Sequence, residues 1–216
     1  DVGDMADLIH GLKSKRWGYG SRVGVVTISG GAGIVMADRA EELGLSIEAF
    51  EESTIAELRN TLPVFASFAN PLDVTAGALS SPEVIEVAIK AVVADANVDM
   101  LAVGLAAASG TAALLDARVL AKIANEYALP MAISWHGPRH LNVEAYDILE
   151  FAGLSVFATP SRAIRALSAA YSFGNALQNK AELTRLCQID VVDTTEKTEL
   201  LNEAEAKVFL DGTGIE

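Results

Sequence analysis

An α/β fold built on a doubly wound, parallel five-stranded sheet is what this sequence predicts. Three observations carry that reading. Short apolar runs bounded by turn residues recur along the chain, as in strands buried on both faces. Stretches with helical spacing of apolar residues separate them. Each crossover is long enough for a right-handed strand–helix–strand unit. The composition agrees: 51% of the 216 residues are apolar but only 6% aromatic, so Ala, Val, Leu and Ile must fill the core.

The elements follow in order. Asp4–Leu12 reads as an amphipathic helix with Met5, Leu8, Ile9 and Leu12 on one side, and Lys13–Ser21 as a loop. Arg22–Ile28 is the first buried strand. Ser29–Gly33 turns the chain into a helix over Ile34–Leu43, stopped by Gly44, which suits a left-handed cap. Ser46–Phe50 reads as the second strand. Thr54-Ile55-Ala56-Glu57 fits a capping box opening a helix that Pro63 ends.

Ala66–Ala78 reads as irregular. Ser81 and Pro82 start a helix with Val84, Ile85, Ala88, Ile89, Val92 and Val93 as its apolar stripe. Asp99–Leu105 is the next strand, Thr111–Tyr127 a helix and Pro130–Trp135 a strand. Asn142 caps a helix to Phe151, and Leu154–Ala158 is the last strand. Thr159-Pro160 opens a long helix to about Asn179.

Composition shifts after Lys180. Asp190–Glu199 is polar and reads as a linker, and Asn202-Glu203-Ala204-Glu205 starts another helix. Both chain ends read as cut from something longer. The expected organisation is a connector over 1–20, the α/β domain over 21–180, and a linker with the first helix of a following module over 181–216.

Net charge is -13 and the pI about 4.6, which makes nucleic acid and anionic membranes poor partners. No signal peptide is visible and no apolar run reaches the length of a membrane span. The single cysteine, Cys187, excludes a disulfide within the chain and fits a reduced cytoplasm.

Ligands of open parallel sheets bind beyond the carboxyl ends of the strands. That rule selects Ser29–Gly33, Glu51–Thr54, Leu105–Thr111 and His136–His140, with Asn70–Gly77 within reach of the same edge. The turn Ser29, Gly30, Gly31, Ala32, Gly33 is the strongest candidate. Its glycines let a ligand approach the backbone, and the following helix aims free N–H groups and its positive dipole end there. A phosphate-binding loop of the mononucleotide type needs a lysine where Ile34-Val35-Met36 stands, so that reading fails. A dinucleotide site, with Glu51 or Glu52 on the ribose, remains an alternative, although Met36 occupies the third glycine position.

In the second constellation, Pro71 fixes the backbone and holds Asn70 extended, and Asp73 and Thr75 can brace the loop or hold a ligand. His136 is a candidate acid/base or phosphoryl carrier, or an ordinary loop residue. Three scattered histidines and one cysteine make no metal site by spacing.

Arg22–Asp38, with its core Ser29-Gly30-Gly31-Ala32-Gly33, resembles the second succinyl-CoA synthetase-like, flavodoxin-like domain of NDP-forming acyl-CoA synthetases. Leu62-Pro63, Asn70-Pro71-Leu72-Asp73-Val74 and Val156–Ala163 fit the same domain at the right intervals. Leu201–Lys207 resembles the start of the family's ATP-grasp module, and Gly3–Leu12 the end of the preceding connector. Trp135-His136-Gly137-Pro138 matches no family motif.

The resemblance implies a flavodoxin-like fold in an enzyme that joins a carboxylic acid to CoA. ATP becomes ADP and phosphate in that reaction, by way of an acyl phosphate and a phosphohistidine on another domain. It implies CoA, ATP/ADP and Mg as cofactors of the full enzyme, none bound tightly by this chain. It also implies the phosphohistidine-bearing and ATP-grasp domains as partners. The Ser29–Gly33 turn would receive the phosphoryl group and the Asn70–Thr75 loop the acyl carboxylate, with no catalytic nucleophile in this chain. Two alternatives stand beside it: a regulatory acyl-CoA synthetase-like region of a protein acetyltransferase, and a nicotinamide-dependent oxidoreductase domain.

Overall fold

The computed structural model describes residues 2–63, 66–75, 82–106 and 108–179. The expected linker, the helix at Asn202 and Cys187 lie outside the described residues. The chain divides into two compact units, Asp1–Asn175 and Ala176–Glu216. The first holds the whole sheet.

Its elements are α1 (Val2–Leu12), β1 (Val23–Thr27), α2 (Gly30–Glu42), α3 (Glu52–Thr61), β2 (Leu72–Asp73), α4 (Pro82–Ala94), β3 (Met100–Gly104), α5 (Gly110–Glu126), β4 (Met131–Ser134), α6 (Val143–Phe151), β5 (Ser155–Phe157) and α7 (Pro160–Gln178). The five strands pair in parallel in the order β2-β1-β3-β4-β5. That is the flavodoxin-like order.

Because strand side chains alternate, the sheet builds two cores. Val26, Leu101, Val103 and Ile133 point to one face, where they meet Leu58, Ile85, Ile89, Leu120 and Leu149 from α3 to α6. Val23, Val25, Met100, Ala102 and Ala132 point to the other, under Met36 and Ala40 of α2 and Ile164 and Leu167 of α7. β1 and β3 are buried at every position, which explains why they read as unbroken apolar runs.

Helix α1 and the loop after it pack within the first unit. Asp7 is 4% exposed and receives two hydrogen bonds from the Arg162 guanidinium, the Nε one at 2.6 Å. Arg16 donates to the carbonyls of Ala124 (2.6 Å) and Tyr127 (2.8 Å), satisfying the open C-terminal end of α5. Burial lowers the pKa of that guanidinium.

Three expectations need correction. Ser46–Phe50 is not a strand: only Ser46 bridges to Arg22. Side chains serve its backbone instead. Asn70 donates to the Glu48 carbonyl (2.9 Å) and Asn97 to that of Ala49 (3.0 Å); just beyond the segment, the Glu51 N–H donates to Asp95 (2.8 Å). The edge strand is Leu72–Asp73, paired with Val26 and Thr27, inside the stretch expected to be irregular. Helix α3 also begins two residues before Thr54, at Glu52, with Glu51 as its N-cap and Thr54 buried in its first turn.

Candidate functional site

Strand β1 ends at Thr27, whose hydroxyl is almost wholly buried. It accepts the Ser29 N–H at 3.0 Å and lies 3.1 Å from the Ser29 carbonyl and 3.4 Å from that of Gly104. Sequence reading missed this residue, because a threonine ending an apolar run looks like any other strand residue. Its effect is to set the backbone of Ser29, the N-cap of α2, in extended conformation (φ -145°, ψ 111°).

The Gly33 N–H makes the first helical bond, to the Ser29 carbonyl at 3.1 Å. No side chain caps α2. The N–H groups of its first turn therefore face outward from a positive dipole end. Gly30 and Gly31 are exposed, Ala32 and Ser29 half-buried, Gly33 buried.

The structure brings the turn and the Asn70–Thr75 loop together. A β-carbon on Gly33 would come within 3.1 Å of Pro71 Cβ and 3.2 Å of Thr27 Cγ2; one on Gly30 would lie 3.1 Å from Asp73 Oδ2. At Gly31 nothing stands within 4 Å, so that glycine keeps an open approach.

The loop is braced from within. The Thr75 N–H donates to Asp73 Oδ1 (2.9 Å), and Thr75 takes a left-handed φ of 67°. A β-branched residue there is strained, a state that surrounding structure must hold. The Val74 N–H donates to the Thr27 carbonyl (2.9 Å). Asn70 turns inward onto β1 and Glu48, using both ends of its amide. Asp73 carries a carboxylate, which repels another carboxylate. Donors for a substrate anion must therefore come from the backbone.

The other candidates stand apart from this pair. His136 is exposed at the tip of β4, its N–H bonded to the Ala106 carbonyl at 2.9 Å. β3 lies between β4 and β1, which sets their axes about 10 Å apart.

Trp135 is a core residue. Its indole donates to the Ala108 carbonyl (3.0 Å) and stacks on Tyr146, centroids 4.6 Å apart. The Tyr146 hydroxyl reaches the Gly137 carbonyl at 3.2 Å, and burial pushes its pKa up. Arg139 lies over the same ring and pairs with Glu150 (2.7 Å), which holds the Glu150 carboxyl below its ordinary range.

A cavity of about 290 Å³ opens where α5 and α6 begin, lined by Gly110, Thr111, Asn142 and Glu144 among others. None of residues 29–33 or 70–75 lines it. Asn142 ties the two helix starts together, accepting the Gly110 N–H (3.2 Å) and donating to the Pro138 carbonyl (3.0 Å). Among the described residues no group of three or more His, Cys, Asp or Glu side chains could hold a metal ion. No helix among them is long and apolar enough to cross a membrane.

The geometry also bears on the dinucleotide alternative. Met36 is fully buried against the sheet, and Glu51 follows a segment that never joins it as a strand.

Comparison with known proteins points to ligases. A family model described as the Ligase-CoA domain matches residues 23–177. The alpha subunit of ADP-forming acetate–CoA ligase I from Pyrococcus furiosus is 32% identical over 179 residues, 80% of this chain and 37% of that protein. The alpha subunit of isoform II from the same organism is 40% identical over 82 residues, 38% of this chain and 18% of that protein.

A structure of the dinucleotide forming acetyl-coenzyme A synthetase 1 of Candidatus Korarchaeum cryptofilum, in complex with phosphate and ADP, superposes with a TM-score of 0.71 and 27% identity. It covers 84% of this chain, which corresponds to 39% of that one. This chain thus spans about two fifths of the longer relatives it matches. These relatives support the ligase reading over the oxidoreductase and acetyltransferase alternatives. The chain belongs to the Ligase-CoA domain family.

Proposed function

We propose that this chain is the second flavodoxin-like domain of an NDP-forming acyl-CoA synthetase, a ligase that forms acyl-CoA, ADP and phosphate from a carboxylic acid, CoA and ATP. The observation that carries the reading is the meeting of the Gly30–Gly33 turn with the Asn70–Thr75 loop at one edge of the sheet. A helix N-terminus with free N–H groups favours an anion by about 0.3–1 kcal/mol when exposed, and more when partly buried. A phosphoryl dianion gains most from it. The neighbouring loop offers backbone donors to the acyl carboxylate, so both reacting groups would be held at one place.

In this reading residues 1–20 form the connector from a preceding domain, and 181–216 a linker and the first helix of an ATP-grasp module. CoA, ATP/ADP and Mg act with those other domains. The phosphohistidine is delivered from its own domain, and His136 has no assigned step. The lone cysteine fits a reduced cytoplasm.

The test uses the full-length protein that carries this chain. It should form a CoA thioester from acetate or a larger acid with release of ADP and phosphate. Gly31→Val, which fills the open approach, should lower kcat by about 10- to 100-fold. Unchanged turnover in Gly31→Val, or thioester synthesis by residues 1–216 alone, would overturn the reading.

A further inference from the structure

We infer that Asn70 is a positioning residue that acts through β1 and never touches the substrate. The inference rests on the ligase reading above for its kinetic consequence, but its structural part stands on hydrogen bonds alone.

The outer edge of β1 is served in three pieces. At its start the Val23 N–H donates to the Ser46 carbonyl (2.8 Å). At its end Val26 and Thr27 pair with Leu72 and Asp73, and the Thr27 carbonyl accepts the Val74 N–H. Between them neither short segment reaches. The Asn70 side chain fills that gap: Oδ1 accepts the Val25 N–H at 3.0 Å, and Nδ2 donates to the Val23 carbonyl at 2.8 Å. A primary amide presents one acceptor and two donors in a plane, so it can replace a rung of backbone ladder. The second Nδ2 hydrogen goes to the Glu48 carbonyl, which joins the 46–50 segment to the same point. Both ends of the amide are thus occupied, and none of its hydrogens remains for a ligand.

What this clamp fixes is the turn. Asn70 precedes Pro71, whose ring abuts Gly33, and stands three residues before Asp73, whose carboxylate abuts Gly30. Displacing Asn70 shifts both neighbours of the α2 N-terminus at once. Catalysis by oriented groups falls about 100-fold for a misplacement near 1 Å. Asparagine is required by shape and by donor count: aspartate would set a carboxylate against two carbonyl oxygens.

The experiment combines steady-state kinetics and backbone hydrogen exchange on the full-length protein, with acetate as the probe acid. In Asn70→Ala, kcat should fall about 10- to 100-fold at a temperature well below unfolding, with KM for acetate within about twofold. Exchange should accelerate in peptides covering 23–33. Asn70→Asp should do no better than Asn70→Ala. Asn70→Ser, which keeps one donor, replaces Asn70→Ala if the latter does not fold, and should lie between it and wild type.

A rise in KM of about tenfold with unchanged exchange over 23–33 would overturn the inference in favour of direct substrate contact. Full activity in Asn70→Asp would overturn it too, as would a lowered Tm with kcat and turn exchange unchanged. If wild type forms no CoA thioester from any acid, the ligase reading fails. The exchange measurement then still decides whether Asn70 holds the turn.

Discussion

The thioether methyl of Met36 lies 3.5 Å from the point where a β-carbon would stand on Gly104. A bulky helix residue here fills the space a strand glycine leaves. Dinucleotide folds place a glycine on the helix to bring it close to the strand; in this chain the strand supplies that glycine instead. The same missing β-carbon makes room for the Thr27 hydroxyl, 2.7 Å from that point, so Gly104 serves the α2 contact and the Ser29 turn together.

Gly104→Ala should therefore be costly although alanine is small. The added carbon would strike Thr27 Oγ1 and crowd Thr27 Cβ at 3.2 Å. Thr27 cannot rotate away without releasing the Ser29 N–H. Overpacking of this kind costs about 1–3 kcal/mol. Urea unfolding should show a lower midpoint with an unchanged m-value. A change under about 0.5 kcal/mol, the size expected at an exposed site, would mean the strand end yields freely.

Much of the fold was legible, and the parts that were not share a cause. β1, β3 and β4 announce themselves because both faces are buried and the runs are apolar, and β5 because Leu154–Ala158 is a short, largely apolar run. Ser46–Phe50 has the residues of a strand, yet side chains from Asn70 and Asn97 capture its backbone carbonyls. No local pattern tells that residues this distant will do so. Leu72–Asp73 is two residues long, too short to show alternation, and its pairing comes from β1.

At the candidate site the glycine turn was readable from its residues. Thr27, and the inward turn of Asn70, depend on tertiary geometry and were not.

Asp116 makes stability depend on pH. Its side chain lies in α5, 1% exposed, with Oδ2 lacking a hydrogen-bond partner. Burial pushes its pKa from 3.8 up to about 6. The unfolded chain releases this proton near pH 4, whereas the folded chain keeps it to about pH 6. Between those values the folded state holds more protons, so stability falls as pH rises and levels off above.

Two pKa units correspond to about 3 kcal/mol, the most this group can contribute. Asp116→Asn removes the titration at nearly constant volume. The variant should gain on wild type from about pH 4 to pH 6 and keep the gain at pH 7. Urea midpoints across that range measure it, and a difference that stays flat with pH would count against the buried, unpaired state of Asp116.

On the proposed reading, Asp73 should weaken the attraction of the α2 N-terminus for an anion. Its Oδ2 stands 3.1 Å from the β-carbon position of Gly30, in the first turn of α2. Two unit charges about 4 Å apart repel by about 1 kcal/mol in water, and by more where solvent is excluded. Asp73→Asn keeps an oxygen to accept the Thr75 N–H, so the loop brace survives while the charge goes. Inorganic phosphate should then bind the full-length protein about fivefold more tightly, since about 1 kcal/mol is a factor near five. The gain should shrink at about 1 M salt, where the Debye length is near 3 Å. Calorimetric titration of wild type and Asp73→Asn at both salt concentrations measures it. Weaker phosphate binding by the variant would show that the carboxylate assists the anion, and would move Asp73 from the wall of the site into its machinery.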